Sequence, residues 1–176
     1  YDQSARTKFY LSSLKRLAEA GHLFPCARSR KELNAYRELN GQNKAEPIYP
    51  EEWRPCRQSF QFETPEAGVV WRFRVPTGRV ITFVDQCLGE MSFIAGEDFG
   101  DFVVWRRDGV PAYELAVVVD DIKMGITEVV RGEDLLLSTA RQILLYEALD
   151  CYPPEFFHCP LLRDGDGHKL SKSLDS

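Results

Sequence analysis

The feature that most constrains the fold is the order of apolar and polar segments in the last third of the chain, residues 110–173. Residues 116–119 read Ala-Val-Val-Val, and residues 126–130 read Ile-Thr-Glu-Val-Val. Runs rich in β-branched residues, such as these two, are typical of strands that are buried on both faces of a parallel sheet. We therefore predict two neighbouring strands at these positions.

A helix and a third strand are expected to follow. Ser138 can cap a helix whose apolar residues form one stripe, namely Ile143, Leu144, Leu145 and Leu149. A short strand fits residues 156–162, and the Asp-Gly-Asp-Gly sequence of residues 164–167 turns the chain toward a lysine-containing loop. This order indicates an α/β fold, as the second half of a Rossmann-like nucleotide-binding domain.

Two helices are predicted near the amino end. Ser4 can cap the first, which runs to about residue 20. Ser29 and Glu32 have the spacing of a capping box for a second helix that ends near residue 39. An irregular segment is expected after it.

A β-rich portion follows from residue 69. Residues 69–75 alternate apolar and polar side chains, and the Thr-Gly pair at 77–78 favours a turn. Residues 80–84 are expected to form the opposing strand of a hairpin. Further strands are predicted at 91–94 and 102–105.

These segments divide the chain into an α+β insertion at residues 1–110 and a half Rossmann-like core at residues 111–176. The net charge of -5 is uneven, because residues 1–57 carry 11 Lys+Arg against 7 Asp+Glu, a local charge of +4. A basic lobe is compatible with contact to a polyanion on one side. A solvated mixture of charges is the alternative.

The composition favours a protein of the cytoplasm without a membrane partner. Residues 1–8 are polar and unlike a secretion signal, and no segment approaches the ~20 apolar residues of a membrane span. The five cysteines are scattered and odd in number, which argues against a disulfide framework and agrees with a reducing compartment.

Four ordered blocks resemble one enzyme family. PAYELAVVVDD, ITEVVRGEDLL, STARQILLYEAL and HKLSKS together are similar to the second half of the class I glutamyl-tRNA synthetase catalytic core. KLSKS is similar to the KMSKS signature of that class. The segment DFVVWRRDGVPAYELAVVVDD and the amino-terminal residues YDQSAR resemble the glutamyl-queuosine tRNA(Asp) synthetase branch in particular.

The resemblance implies ATP-dependent activation of L-glutamate with Mg²⁺ and transfer to tRNA, with the queuosine of tRNA(Asp) favoured as acceptor. It assigns Lys172 to ATP contact and catalysis, with Lys169 as its catalytic partner in the loop and Ser171 as a further ATP-binding residue. A lysine on a loop is a movable point charge that can follow the phosphates of ATP.

Arg131 and Tyr113 are the candidate glutamate-binding residues. Arg131 follows an apolar strand, at the edge where open α/β sheets bind ligands, and a guanidinium can hold a carboxylate bidentately. Tyr113, near the start of the neighbouring predicted strand, can add a phenolic hydrogen bond. In the resembled family the two matching positions contact glutamate. The alternatives are an ion pair with Glu133 or Asp134 for Arg131, and a core position for Tyr113.

Three other polar residues receive no catalytic assignment. Asp120 and Asp121, which close the predicted strand, could orient ribose, a metal or Arg131, and a capped turn is an equal alternative. His158 resembles the histidine before the Pro-Leu of the family, and we interpret it as structural rather than as a general base.

A structural zinc is doubtful. In the resembled family a Cys-x-Cys pair and a later Tyr-x3-Cys pair bind zinc. This chain has Cys26, Tyr49 and Cys56, but Arg28 stands at the second cysteine position and the later spacing is stretched. Two thiolates are too few for a closed tetrahedral site, which needs four good ligands.

The class I signature HIGH, which lines the adenine and triphosphate site, does not occur in the sequence. The chain is therefore expected to be a carboxyl-terminal piece of a catalytic domain, inactive alone, whose full-length parent is a monomer. An ordinary glutamyl-tRNA synthetase is the nearest alternative. The alternative with a different kind of function is a non-catalytic paralogue that binds tRNA or nucleotide.

Overall fold

The computed structural model describes residues 2–41, 48–56, 62, 65–66 and 68–162. Within them lie four α-helices, which are α1 (Thr7–Glu19), α2 (Arg30–Leu39), α3 (Tyr113–Met124) and α4 (Leu136–Ala148). The same residues form seven strands, which are β1 (Leu23–Cys26), β2 (Val70–Phe73), β3 (Val80–Asp85), β4 (Gly89–Ile94), β5 (Phe102–Trp105), β6 (Glu128–Gly132) and β7 (Glu155–Cys159). None of these helices combines the length and apolar character needed to cross a membrane.

The strands form two sheets. Three antiparallel strands make one sheet in the order β1-β2-β5, and the other has the order β4-β3-β7-β6. In the second sheet β3, β7 and β6 are parallel, while β4 pairs antiparallel with β3. The predicted division at residue 110 stays a prediction, and this sheet combines two strands from each side of it.

Both amino-terminal helices are confirmed. A 3-10 turn at Gln3–Arg6 leads into α1, and the carboxylate of Asp2 rather than Ser4 caps that turn. The capping box of α2 is present, because the Ser29 hydroxyl accepts from the Glu32 backbone N–H and the Glu32 carboxylate accepts from the Ser29 N–H.

The strand predicted at residues 116–119 is wrong, because these residues lie inside α3. The helix is buried on most of its circumference, with Leu115, Val118 and Val119 in the core against α1 and α4. A short apolar run cannot distinguish a buried helix from a buried strand by its period alone. Gly125, with a φ of +64°, then ends α3 in the left-handed conformation.

The predicted hairpin of residues 69–75 with 80–84 is also wrong. The chain does turn at Gly78, with a φ of +81°, but this turn carries it from one sheet to the other. β2 pairs with β1 and β5, whereas β3 pairs with β4 and β7. An alternating pattern specifies which face of a strand is buried, but not its partner strand.

The other predicted elements near the carboxyl end are present with shifted ends. β6 and β7 correspond to the strands predicted at 126–130 and 156–162. Ser138 does not cap α4 but lies buried within its first turn, because a 3-10 turn at Glu133–Leu135 starts the helix earlier.

Candidate functional site

Three parallel strands bring three polar side chains to one edge of the four-stranded sheet. β3 ends at Asp85, while His158 and Arg131 lie directly opposite each other near the ends of β7 and β6. Residues two apart point to the same face of a strand, and here Phe156 and His158 are both buried. The carboxyl ends of β3, β7 and β6 therefore carry a polar cluster on the buried face.

Asp85 and His158 form the centre of this cluster. The Asp85 Oδ2 lies 2.6 Å from His158 Nδ1 and 3.1 Å from the His158 backbone nitrogen, and both side chains are fully buried. The backbone N–H groups of Cys87 and Leu88 donate to Oδ1 of the same carboxylate. Burial would raise the pKa of Asp85, but the hydrogen bonds from His158, Leu88 and Cys87 hold it below its ordinary value.

Arg131 is connected to this pair. Its Nε lies 3.1 Å from His158 Nε2, and its Nη2 lies 2.6 Å from Thr139 Oγ1. Thr139 Oγ1 is in turn 3.1 Å from His158 Nε2 and 3.3 Å from the Leu135 carbonyl oxygen. The guanidinium carbon lies 5.4 Å from the centre of the Phe156 ring. Arg131 thus has two hydrogen-bond partners, His158 and Thr139, that the sequence did not predict.

The amino end of α3 faces the same region. Glu114 is buried and accepts a 2.8 Å hydrogen bond from Gln142 of α4, and Arg141 lies 3.7 Å from its other carboxylate oxygen. Burial raises the pKa of Glu114, although Ser138, Arg141, Gln142 and the charge of Arg131 oppose that rise. Sequence analysis missed Glu114, and the only signal was a polar residue in an apolar helix.

Tyr113 is the first residue of α3 and is 51% exposed. The alternative of a core tyrosine is therefore wrong, and its placement near the start of a strand is corrected to a helix start. Lys169, Ser171 and Lys172 lie outside the described residues, so their assignment to ATP stays a prediction.

Asp120 and Asp121 do not close a strand, because both lie in α3. Asp120 accepts hydrogen bonds from Arg6 at 2.6 Å and from Tyr10 at 2.9 Å, which hold α1 against α3. Asp121 accepts from the Tyr146 hydroxyl at 3.1 Å. Through these contacts, both aspartates connect α3 to neighbouring helices.

The region predicted to resemble a zinc site brings Cys26 and Tyr49 together, with the thiol sulfur 3.5 Å from the phenolic oxygen. The Arg72 guanidinium donates to the same sulfur at 3.4 Å and lies over the Tyr49 ring. Cys56 is exposed. Across the described residues no group of three or more His, Cys, Asp or Glu side chains could hold a metal ion. One thiol beside an arginine does not fit zinc.

A basic surface lies beside the contact between Cys26 and Tyr49, because Arg72 belongs to both. It is a depression of about 270 Å³, which we call the arginine-lined depression, and its cationic residues are Arg28, Arg30, Arg72, Arg106 and Arg107. Two of these side chains pair with acids, since Arg28 contacts Glu32 at 2.9 Å and Arg106 contacts Asp108 at 2.5 Å. The cations outnumber the acids, so this surface attracts anions.

Comparison with known proteins identifies the family. A family model described as "tRNA synthetases class I (E and Q), catalytic domain" matches residues 1–174. The chain is 44% identical over 172 residues to a glutamyl-Q tRNA(Asp) synthetase of Burkholderia cenocepacia (strain HI2424), covering 97% of this chain and 56% of the relative. It is 40% identical over 172 residues to a glutamate–tRNA ligase of Delftia acidovorans, covering 97% and 36% respectively.

Solved structures agree with the sequence comparison. A glutamate tRNA ligase from Elizabethkingia meningosepticum, solved in complex with its amino acid, has a TM-score of 0.79 and 31% identity. The match covers 98% of this chain and 36% of that protein. The chain thus spans from about one third to just over half of the length of these relatives. It belongs to the family of class I tRNA synthetases for glutamate and glutamine, and lies within their catalytic domain.

Proposed function

We propose that the protein carrying this chain activates L-glutamate with ATP and Mg²⁺ and transfers it to tRNA in the cytoplasm. The observation that carries this proposal is the arginine held at the carboxyl ends of three parallel strands, with its Nε and Nη2 bound to His158 and Thr139. Open α/β sheets bind ligands at this edge, and a fixed guanidinium suits a carboxylate.

In this proposal Arg131 binds a carboxylate of glutamate and Tyr113 adds a hydrogen bond from its hydroxyl. The exposure of Tyr113 supports its access to a ligand. Buried Glu114 follows it directly in α3 and accepts from Gln142 of α4, the helix whose Thr139 contacts Arg131, which supports placing the start of α3 near Arg131.

ATP use is proposed from the family and from the KLSKS residues. Lys172 and Lys169 would neutralise phosphate charge as it develops, and Ser171 would donate a hydrogen bond. Mg²⁺ is proposed together with ATP, since phosphate oxygens are its usual ligands in such sites.

The favoured acceptor is the queuosine of tRNA(Asp), because a relative of that name has the higher identity of the two reported above. The second candidate is the acceptor of an ordinary glutamyl-tRNA synthetase, since a relative of that kind matches over the same share of this chain. The arginine-lined depression supports contact with a polyanion in both cases.

The test uses the full-length protein that carries this chain, acting as the monomer that we expect. ATP–pyrophosphate exchange should depend on L-glutamate and should be absent with L-glutamine or L-aspartate. Purified tRNA(Asp) with queuosine and tRNA(Glu) are then compared as acceptors of labelled glutamate. Stable transfer to tRNA(Asp) that is lost when queuosine is absent supports the favoured acceptor.

Other outcomes select other functions. Transfer to tRNA(Glu) alone makes the protein an ordinary glutamyl-tRNA synthetase. Binding of tRNA or ATP without any exchange reaction would favour the non-catalytic paralogue and refute the proposed activity.

A further inference from the structure

We infer that His158 is a positioning residue, which holds the Arg131 guanidinium through an unprotonated Nε2 while Asp85 fixes the orientation of the ring. The role of Arg131 toward glutamate rests on the proposed function. The hydrogen-bond arrangement itself rests only on the contacts of buried Asp85, His158 and Thr139 with partly buried Arg131.

The tautomer of His158 follows from the chemistry of its neighbours. A guanidinium carries five N–H donors and no acceptor, so Nε2 must accept the hydrogen bond from Arg131 Nε at 3.1 Å. A neutral ring that accepts at Nε2 carries its proton on Nδ1, where Asp85 Oδ2 lies 2.6 Å away and accepts it. The geometry therefore selects one tautomer.

The orientation of the Asp85 carboxylate is itself fixed by backbone hydrogen bonds. Three backbone N–H groups, those of Cys87, Leu88 and His158, donate to its two oxygens at 2.9 to 3.1 Å. The His158 ring is fully buried and lies beside Phe156, with the ring planes 24° apart. A carboxylate held by the backbone thus holds the histidine, and the histidine in turn holds the arginine.

Thr139 completes the arrangement on the arginine. Its Oγ1 accepts from Arg131 Nη2, and its own proton has an acceptor in the Leu135 carbonyl or His158 Nε2. His158 and Thr139 therefore engage the edge of the guanidinium formed by Nε and Nη2. The other edge, with one N–H on each Nη, is the bidentate pair that these two residues leave for a ligand carboxylate.

If His158 only filled space, losing its hydrogen bond to Asp85 and losing its hydrogen bond to Arg131 would have similar effects. Two substitutions separate these two hydrogen bonds, because glutamine places an amide oxygen near the position of Nε2 and asparagine places an amide nitrogen near that of Nδ1. His158→Gln keeps an acceptor for Arg131 and loses the donor to Asp85. His158→Asn keeps the donor to Asp85 and loses the acceptor for Arg131.

The first measurement is ¹⁵N NMR of the histidine rings in the full-length wild-type protein near neutral pH, with His158→Gln used to assign the signal. We expect Nδ1 to carry the proton and Nε2 to carry none. A proton on Nε2, in either the opposite tautomer or the imidazolium, would overturn the inference.

The second measurement does not depend on enzymatic activity. The Arg131 Nε–H resonance should be shifted and slow to exchange with water in the wild type, and should keep most of that protection in His158→Gln. In His158→Asn it should exchange faster by about tenfold or more, as expected when a partly buried hydrogen bond is lost. Equal protection in both variants would refute a positioning role.

The third measurement connects the arrangement to glutamate. His158→Asn should raise the KM for L-glutamate by about tenfold or more, with a smaller rise in His158→Gln and a KM for ATP within about twofold of wild type in both. Equal effects on the two substrates would indicate a merely structural role. If the wild-type protein does not use glutamate, the proposed function fails, while the two NMR measurements still decide the positioning of Arg131.

Discussion

Arg131 is the residue on which the proposed chemistry depends most. Two of its nitrogens are bound within the protein, to His158 and Thr139, and its guanidinium carbon lies 5.4 Å from the centre of the Phe156 ring. A lysine at this position would keep the positive charge. It would not provide several donors in a fixed plane, so it could not satisfy both neighbours and also bind a carboxylate bidentately.

We therefore expect Arg131→Lys, made in the full-length protein, to raise the KM for L-glutamate by about tenfold to a hundredfold, which corresponds to about 1.5–3 kcal/mol for a lost charged hydrogen bond. The KM for ATP should stay near the wild-type value. Steady-state ATP–pyrophosphate exchange with each substrate varied in turn measures both constants.

Arg79→Lys is the matched control, because Arg79 forms an exposed ion pair with Glu147, with both side chains more than 40% exposed. Such a pair contributes little, and lysine can replace arginine in it. An Arg131→Lys enzyme with wild-type glutamate kinetics would contradict the assignment of Arg131.

Sequence reasoning could find Arg131, and it interpreted His158 as structural, but it could not predict that the two side chains contact each other. An arginine at the end of an apolar strand is a local signal, readable from a few neighbouring residues. The partnership of Asp85 and His158 joins residues 73 positions apart, and depends on which strands lie side by side. Thr139 was missed for the same reason, since its contact with β7 depends on how α4 packs.

At the scale of the element, α3 shows how burial overrides local preference. Valines favour strands because of their branched side chains, yet α3 has three in succession. Core contacts on most sides of the helix outweigh a propensity difference of below about 1 kcal/mol per residue. The capping box of α2 was predictable because it needs only Ser29, Glu32 and their spacing.

That capping box gives a prediction about pH. The pKa of Glu32 is lowered from 4.5 to about 2, first by the Ser29 backbone N–H and then by Arg28 and the Ser29 hydroxyl. Because the folded state favours the ionised form, the stabilisation is present above pH 4.5 and is lost as the pH falls through about 2. We expect Arg28→Ala to raise the pKa of Glu32, as followed by ¹³C NMR of its carboxyl group.

Lys31→Ala is the control for this titration, since it removes a neighbouring positive charge without removing a hydrogen bond that the structure assigns to Glu32. Its effect on the pKa of Glu32 should be smaller than that of Arg28→Ala. A Glu32 that titrates near its ordinary value in the wild type would show that the capping box does not persist in solution.

At the scale of the whole molecule, charge is separated more sharply than the overall value of -5 suggests. The sequence predicted a basic region at residues 1–57, and the structure places Arg28 and Arg30 from that region beside three arginines from outside it, Arg72, Arg106 and Arg107. Arg106 and Arg107 follow directly after β5. Sequence reasoning could not group them, because the arrangement depends on the pairing of β2 with β5.

We expect Arg30→Ala and Arg107→Ala to weaken tRNA binding by the full-length protein. Each phosphate contact that is lost should lower the slope of log affinity against log salt concentration by roughly 0.9 on a duplex. Titrations of tRNA at several salt concentrations measure this slope. The KM for L-glutamate should be unchanged, because neither residue belongs to the cluster around Arg131.

Lys15→Ala serves as the comparison, because Lys15 is an exposed cation of α1 that pairs with Glu19 and does not line the arginine-lined depression. It should leave the salt slope unaltered. If all three variants changed the slope equally, the depression would have no special role in binding the polyanion.

The long separation between Asp85 and His158 also affects the order in which the protein can assemble. During synthesis the ribosome releases β3, α3 and β6 well before β7, so Arg131 emerges without its acceptor. Contacts between residues far apart in sequence form late, because a long loop must close before they are made. The proposed substrate pocket should therefore mature only when the chain has grown past residue 158, and a nascent chain shorter than this should be unable to bind glutamate.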